Sequence, residues 1–251
     1  MTLPQAFLDR PLAHRALHDV RDGRPENSLV AIRAAVALGY GIELDVQISK
    51  DGKAMVFHDY DLQRLAGVTG ALCQSTANEL GATILIGSDE GIPTLRQVLD
   101  LVDGQVPLLI EIKDQDLRLG PNVGSLEEAT ARDLTDYHGA VAVMSFNPHS
   151  VAKLATLLPN TPRGLTTCNF DKEDWMLVPD NLRESLATIP DFDRTGSCFI
   201  SHQQDQLSNP AVARLKSKGV PILCWTIRSP EQASAALQIA DNVTFEGYLP
   251  T

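Results

Sequence analysis

The stretch Gly41-Ile-Glu-Leu-Asp-Val-Gln-Ile-Ser-Lys-Asp-Gly-Lys-Ala-Met-Val-Phe-His-Asp59 decides the fold of this chain. In its first half, apolar residues alternate with Gly41, Glu43 and Asp45, which predicts a β-strand with both carboxylates on one face. An ionised carboxylate is costly to bury unless a cation compensates its charge. The two acids therefore indicate a functional site on an otherwise apolar strand.

The second half of this stretch is predicted to return as the other arm of a β-hairpin. The dipeptide Asp51-Gly52 is a strong signal for a two-residue turn. With that turn, Lys50 pairs with Lys53, and Asp45 lies opposite His58. We therefore expect one local hairpin to bring two carboxylates and an imidazole together.

The composition indicates a chain with a substantial apolar core. Its 251 residues are 43% hydrophobic, which suits one large barrel or two small domains. The sequence has no apolar run of about 18 residues, which argues against a membrane span. Residues 1–10 lack the basic and then apolar pattern of a secretory signal. We therefore expect a cytoplasmic protein without stable membrane insertion.

The charge narrows the class of partner. A net charge of -11 disfavours binding to nucleic acid or to an anionic membrane surface. A small anionic substrate stays compatible with it, because a local cation cluster or a bound metal can dominate one pocket. The four cysteines are scattered and are predicted to be free thiols. The oligomeric state is left open.

Strand and helix patterns alternate along the chain, which indicates parallel α/β architecture. Eight strands are predicted near residues 12, 42, 108, 141, 163, 198, 221 and 243, with a helix after most of them. This pattern predicts a single TIM (β/α)8 barrel domain over residues 1–251, with a β-hairpin and a small irregular, lid-like insertion (59–93) after strand 2. An open doubly wound sheet is the runner-up, but no glycine-rich nucleotide loop follows the first strand.

Polar residues lie at the predicted carboxyl ends of neighbouring strands, where barrels carry their active sites. They are His14, Arg15, Glu43, Asp45, His58, Glu111 and Lys113. Three carboxylates close together raise one another's pKa, and a hard divalent cation relieves this repulsion. All-oxygen ligation favours Mg²⁺ or Ca²⁺. For any single carboxylate, the alternative is an ion pair with Lys113 or Arg15.

The remaining groups favour phosphate chemistry. Two histidines at one mouth suit general acid–base catalysis near neutral pH. Arg15 and Lys113 supply fixed positive charge for the oxygens of a phosphoryl group. The residues thus indicate metal-assisted hydrolysis of a phosphate ester, and they do not distinguish a monoester from a diester.

Several short motifs in this order resemble the glycerophosphodiester phosphodiesterase family of the bacterial, cytosolic type. They are His14-Arg15, Pro25-Glu-Asn-Ser-Leu29, Glu43-Leu-Asp-Val46, Asp51-Gly52, Val56-Phe-His-Asp59, Ile92-Pro-Thr-Leu95, Ile110-Glu-Ile-Lys113, Ser145-Phe146 and Trp225-Thr226. The resemblance covers residues 12 to about 227. It implies a TIM barrel of lipid and glycerol metabolism that hydrolyses glycerophosphodiesters to glycerol 3-phosphate and an alcohol with Mg²⁺ or Ca²⁺.

The resemblance also implies a role for each matching residue. The family's acid–base pair corresponds to His14 and His58. Its metal ligands correspond to Glu43, Asp45 and Glu111, and its phosphate contacts correspond to Arg15 and Lys113. Glu26 and Asn27 match a motif beside the site, with loop bracing as the alternative, and Trp225 matches a wall of the substrate pocket, with core packing as the alternative.

Four departures from the family pattern leave the substrate choice open. Ala16 replaces the glycine that usually follows His-Arg, and the loop from Leu17 to Arg24 is longer than usual, which could narrow the mouth or select the alcohol. Arg228 replaces a usual asparagine and could add an anion contact, and Glu246 replaces the usual aspartate of the closing motif. The alternatives are a phospholipase D-like lyase of the same superfamily and a catalytically silent phosphodiester-binding domain. Retention of both histidines and all three carboxylates argues against the silent domain.

Overall fold

Eight parallel strands close into a barrel in a computed structural model that describes residues 1–250 of the chain. The strands are β1 (Leu12–Ala13), β2 (Gly41–Ile48), β4 (Leu108–Ile112), β5 (Val141–Ser145), β6 (Arg163–Thr167), β7 (Phe199–Gln203), β8 (Ile222–Ile227) and β9 (Asn242–Phe245). Strand β1 pairs with both β2 and β9 and thereby closes the barrel. Strand β3 (Ala54–Val56) pairs antiparallel with β2. The predicted TIM barrel with a hairpin after its second strand is confirmed.

The helices surround the barrel. They are α1 (Ala6–Asp9), α2 (Leu29–Leu38), α3 (Gln63–Ala66), α4 (Ala77–Ala82), α5 (Leu95–Val102), α6 (Ser125–Leu134), α7 (Pro148–Leu157), α8 (Asp180–Leu186), α9 (Pro210–Ser217) and α10 (Pro230–Ala236). Local chemistry fixes their ends: Ser28 caps α2, Gly39 ends it in the left-handed region, and Thr94 forms a capping box with Gln97 on α5. Within residues 1–250, no helix is long and apolar enough to cross a membrane.

The barrel strands carry two kinds of face. Their outward residues, such as Ile42, Leu44 and Ile110, pack with the helices in the main core. Their inward residues are apolar at the amino-terminal end, where Leu12, Leu109, Phe199 and Leu223 pack with Leu3 and Phe7. Two glycines make room here, because a Cβ at Gly41 would lie 2.4 Å from the Leu12 side chain and one at Gly164 2.5 Å from the Phe199 ring. The apolar layer fills one end of the barrel and leaves the other end for polar groups.

The register of the hairpin differs from the prediction. Val46 pairs with Val56 and Ile48 with Ala54, so a three-residue loop connects the arms. The predicted opposition of Asp45 and His58 is wrong, because Phe57 donates its backbone N–H to the Asp45 carbonyl at 3.0 Å. The Ser49 hydroxyl accepts the Lys53 N–H at 2.9 Å and supports the longer loop. Gly52 takes the left-handed conformation that such a loop requires.

The insertion at residues 59–93 has an apolar cluster of its own, which includes α3 and α4. Its buried members are Met55, Phe57, Leu62, Leu65, Leu72, Leu80, Leu85 and Ile92. Because Met55 and Phe57 come from the hairpin, the insertion packs directly on the arm that carries His58. Burial of each such side chain contributes roughly 1.5–3 kcal/mol of transfer free energy. The lid-like role of the segment stays a prediction.

Candidate active site

Three buried carboxylates meet inside the open end of the barrel. Glu43 and Asp45 lie on β2, and Glu111 lies on β4 directly beside Asp45 in the strand register. All three side chains point inward because each lies in phase with the inward-facing residues of its strand. Their exposed fractions are 3%, 2% and 6%, and one oxygen from each lies within 4.8 Å of the others. The predicted trio is therefore together in space.

The trio has an uneven charge distribution. Burial, together with the charges of Asp45 and Glu111, raises the pKa of Glu43 well above its ordinary value. Burial acts in the same direction on Asp45, but His58, Lys113 and Arg15 hold the pKa of that carboxyl far below its usual range. In the chain alone, Asp45 is thus well compensated and Glu43 is not.

Lys113 and Arg15 supply the fixed positive charge. Lys113 Nζ lies 3.0 Å from Glu111 Oε1 and 3.5 Å from Asp45 Oδ1. Arg15 Nε lies 3.6 Å from Asp45 Oδ2. Arg15 reaches the interior because β1 ends at Ala13 and both Arg15 and Ala16 take the left-handed conformation. This turn also aims the Arg15 N–H at Glu43 Oε2, 3.0 Å away.

Both candidate histidines have the same support. His14 Nδ1 lies 2.6 Å from Glu246 Oε2, and Glu246 also binds Arg228. His58 Nδ1 lies 2.8 Å from Asp59 Oδ1, and Asp59 binds Arg64 in turn. Burial lowers the pKa of His14, and its hydrogen bond to Glu246 partly opposes that shift. Each ring is thereby fixed through Nδ1, which leaves Nε2 for a ligand.

Glu26 and Asn27 connect this site to its surroundings. Glu26 accepts hydrogen bonds from Arg15 Nη1 at 2.8 Å and from both terminal nitrogens of Arg64 at 2.9 Å. Asn27 is buried, and its Nδ2 donates to Asp45 Oδ2 at 3.0 Å. Asn27 also takes the left-handed conformation, with φ 59°, which asparagine tolerates better than most residues. Both residues contact groups of the site.

A cavity of about 60 Å³ lies among these groups. It is lined by His14, Arg15, Glu43, Asp45, His58, Glu111, Lys113, Met144, Phe146, Trp225 and Thr244. Trp225 packs against Phe146, with the ring centroids 5.5 Å apart, and its Nε1 donates to the Ser201 carbonyl at 3.1 Å. The structure thus brings all seven predicted charged residues and Trp225 to one cavity.

Sequence reasoning missed the residues that hold the histidines. Glu246 was noted only as a departure from a motif, although its place just after β9, beside β1, could have indicated contact with His14. Arg228 is engaged with Glu246, so the structure does not present it as a free anion contact. The loop from Leu17 to Arg24 lines a separate cavity of about 600 Å³ and not the small catalytic one.

The donor set fits a divalent cation. Three carboxylates offer hard oxygen ligands within 4.8 Å of one another, which suits Mg²⁺ or Ca²⁺. The raised pKa of Glu43 indicates that the neighbouring cations do not fully compensate the charge of its carboxylate. A cation bound by the three carboxylates would oppose that upward shift, since its charge would offset the charges of Asp45 and Glu111 and favour the ionised form of the buried Glu43.

The barrel and its site are compatible with a hydrolase of phosphate esters, and comparison with known proteins identifies the class as a phosphoric diester hydrolase and gives the family. The sequence model of the Glycerophosphoryl diester phosphodiesterase family matches residues 14–243. The chain belongs to this family, as its motifs predicted.

Known relatives agree with this assignment. A glycerophosphodiester phosphodiesterase from Caldanaerobacter subterraneus subsp. tengcongensis is 35% identical over 217 residues, which is 82% of each chain. A phosphodiesterase from Oleispira antarctica, solved with the product sn-glycerol-3-phosphate, has a TM-score of 0.74 at 22% identity, over 96% of this chain and 94% of that one. A putative glycerophosphodiester phosphodiesterase from Galdieria sulphuraria has a TM-score of 0.76 at 18% identity, over 95% and 94%.

Proposed function

We propose that this enzyme hydrolyses small glycerophosphodiesters to glycerol 3-phosphate and an alcohol, with a divalent cation and two histidines. One observation carries the proposal: His14 and His58, each held through Nδ1 by a carboxylate, line the same cavity as three buried carboxylates. The family supports the substrate class, and the product bound by the Oleispira antarctica relative is the product proposed here.

Arg15 and Lys113 would hold the phosphate. Both line the cavity, and both keep their charge there, because nearby carboxylates outweigh the burial that lowers the pKa of each. A guanidinium and an ammonium can contact different non-bridging oxygens of one phosphoryl group. Trp225 and Phe146 would exclude water from the side of the phosphate that faces them.

The histidines would move the protons. Since Nδ1 of each ring is bound to a carboxylate, Nε2 is the atom that exchanges a proton with the substrate. One histidine deprotonates the attacking oxygen, and the other protonates the leaving oxygen. Glu246 and Asp59 would stabilise whichever ring carries the positive charge, as carboxylate partners of catalytic imidazoles do.

Glu43, Asp45 and Glu111 would hold Mg²⁺ or Ca²⁺, which when bound supplies Lewis-acid stabilisation of the developing negative charge. Asn27 would orient Asp45 through its hydrogen bond. The attacking oxygen is either water or the neighbouring glycerol hydroxyl, which would give a cyclic phosphate first. A phosphorus NMR time course distinguishes the two routes, because a cyclic phosphate resonance appears and decays only if the glycerol hydroxyl attacks first.

The test is the release of glycerol 3-phosphate from a panel of glycerophosphodiesters by the purified enzyme with Mg²⁺ or Ca²⁺. We expect turnover of at least one diester, and a fall in kcat of roughly 10²–10⁴-fold for His14→Ala and for His58→Ala. His149→Ala, on the first turn of α7, serves as the matched control and should keep wild-type turnover. No release from any diester with either cation would overturn the proposal.

A further inference from the structure

A second cavity of about 590 Å³ adjoins the catalytic one. The two share five lining residues: His58, Glu111, Lys113, Phe146 and Trp225. The larger cavity continues outward between the loops that follow β4, β5 and β6. Its size lies within the range of about 300–1,000 Å³ that small-molecule pockets occupy. A ligand whose phosphate sits at the carboxylate trio can therefore extend into it without crossing protein.

The outer wall of this cavity is apolar. Phe146, Trp175 and Trp225 form an aromatic cluster in which Phe146 lies 4.9 Å from Trp175 and 5.5 Å from Trp225, centroid to centroid. Leu117 and Leu119 face them from the loop after β4. This cluster gives a rigid surface, since each aromatic ring is packed against another.

Two polar groups of the outer wall, Tyr60 and Asp114, are already bonded within the protein. Tyr60 Oη donates to the Asp114 carbonyl at 2.7 Å. The Asp114 carboxylate accepts from Asn147 Nδ2 at 2.7 Å and from the Leu119 N–H at 2.9 Å. Because these two groups have partners, they offer a ligand little hydrogen bonding. Asp174 and Gln203 also line the cavity, but aromatic and aliphatic side chains form most of its outer wall, which therefore favours apolar surface.

The rim of the cavity carries the most exposed large apolar side chain of the described residues. Met176 is 80% exposed and Leu177 is 57% exposed, and both line the cavity. They follow Trp175 in the segment between β6 and α8. An exposed apolar rim on a concave, apolar wall is typical of a binding groove.

We propose that this cavity, which we call the chain pocket, binds an apolar chain attached to the substrate phosphodiester. The preferred substrate is then an amphipathic glycerophosphodiester with an alkyl or acyl chain of several carbons. Phe146, Trp175, Met176 and Leu177 are its specificity-determining residues. This inference rests on the proposed function, because it places the phosphate of the diester at the carboxylate trio.

The continuity with the catalytic cavity favours the substrate's own chain over a partner protein or a lipid surface. A partner would cover the rim without needing a deep cavity that ends at Glu111 and Lys113. The net charge of -11 also opposes docking on an anionic bilayer.

The experiment measures kcat/KM for two matched substrate series below their micellar concentrations. In the first, ethanol, butanol or hexanol esterifies glycerol 3-phosphate; in the second, the ethyl diester carries a hexanoyl chain on its glycerol. Complete burial raises kcat/KM about fourfold per methylene. Since the pocket is open on one side, we expect a gain of at least about tenfold from the ethyl to the hexyl diester, or from the ethyl diester to its hexanoyl derivative, whichever places its chain in the pocket.

Rim variants test where the chain binds. Leu177→Glu and Met176→Glu should bring the ratio of hexyl to ethyl kcat/KM towards one. Both positions are more than half exposed, so the fold should tolerate a charge. Leu237→Glu, at the end of α10 and 47% exposed, is the matched control and should keep the ratio.

Each outcome decides between the proposals. A gain in either series supports the chain pocket and shows which end of the diester faces it. Equal kcat/KM across both series, or a gain only above the micellar concentration, overturns the chain pocket and leaves the proposed function standing. If even the ethyl diester gives no glycerol 3-phosphate, the proposed function itself fails.

Discussion

At the residue scale, the site depends on side chains that join distant parts of the sequence. The functional groups could be predicted, because charged residues on an alternating apolar strand have few structural reasons to be there. Their partners could not: His14 and Glu246 are 232 positions apart, and only closure of the barrel between β1 and β9 brings them within 2.6 Å. The alternation of residues along a strand predicts which face a side chain occupies, but it does not predict the residue that the side chain contacts.

Glu246→Gln tests whether this contact positions His14. The amide cannot stabilise an imidazolium as a carboxylate does, so we expect kcat to fall roughly 10–100-fold with little change in KM. Because the Glu246 hydrogen bond raises the pKa of His14, its loss should move the His14 limb of the pH–rate profile to lower pH. Steady-state kinetics across pH measure both effects.

Glu128→Gln is the matched control for that substitution. Glu128 also pairs with a cation, Lys153 at 2.9 Å, but its side chain is exposed on the outer face of α6. The control should keep wild-type kinetics. If Glu246→Gln behaved like the control, Glu246 would have only a structural role.

At the element scale, the hairpin shows what a pattern can and cannot settle. The alternation of apolar and polar residues predicted β2. The Asp51-Gly52 signal predicted the turn and the arm that returns after it. The observed register differs from the predicted one by one residue, because the Ser49 hydroxyl accepts the Lys53 N–H and the loop has three residues in place of two. His58 still lines the cavity, because it directly follows Phe57, whose N–H makes the last backbone hydrogen bond to β2. The barrel strands could be predicted without such detail, since their alternation with helices along the chain indicates the barrel even where a strand is as short as β1.

Helix α3 is connected to the site through Arg64. This side chain binds Asp59, which holds His58, and Glu26, which holds Arg15. We expect Arg64→Ala to lower kcat about tenfold, because both connections would loosen. Arg64→Lys should restore only part of the activity, since one ammonium cannot replace two-sided guanidinium binding. The measurement is kcat with a saturating diester.

Arg33→Ala is the control for Arg64. Arg33 is similarly exposed, at 50% against 49%, and pairs with Glu90 outside the catalytic cavity. Its removal should leave kcat unchanged. Equal losses in the two variants would indicate general destabilisation in place of a specific connection to the histidine.

At the scale of the whole molecule, the proposed cation site predicts that cation binding stabilises the fold. A cation that binds only the folded chain stabilises it by about 2.7 kcal/mol at a hundredfold excess over Kd. For a chain of this length, we expect Tm to rise by roughly 5–10 °C with saturating Mg²⁺ or Ca²⁺. Chelation should reverse the rise. Calorimetry or a thermal shift assay measures it without any substrate.

Substitution within the trio provides the comparison. Glu43→Gln and Glu111→Gln should show a much smaller rise in Tm, while Glu128→Gln should match the wild type. An equal rise in all four proteins would place the cation elsewhere.

His202 makes the folded state sensitive to acid. It is fully buried on β7, where Thr167 Oγ1 donates to its Nδ1 at 2.8 Å and its Nε2 donates to the Gln206 carbonyl at 3.1 Å. Burial lowers the pKa of His202 from 6.5 to about 4. As the pH falls, the unfolded chain therefore gains this proton first. Stability from this group is complete above pH 6.5 and is lost between pH 6.5 and 4, by roughly 3 kcal/mol in all.

Urea unfolding across that pH range measures the loss. His202→Gln should be less stable than the wild type at pH 7 but should show a flatter dependence on pH from 6.5 to 4. The difference between the two curves isolates the histidine from the carboxylates that titrate in both proteins. Parallel curves would mean that His202 keeps an ordinary pKa in the folded chain.

The N-terminal segment seals the far end of the barrel. Phe7 is fully buried there, and Asn242 Nδ2 donates to the carbonyls of Phe7 and Arg10 at 2.7 Å each. The catalytic cavity is thus closed at the amino-terminal end of the barrel, so substrate and products pass at the carboxyl ends of the strands. A product that stays bound prevents the next substrate from binding. The product nearer the entrance must be released before the one that lies deeper. If the proposed reaction takes place here, glycerol 3-phosphate that remains at the carboxylates should compete with the diester for the same entrance.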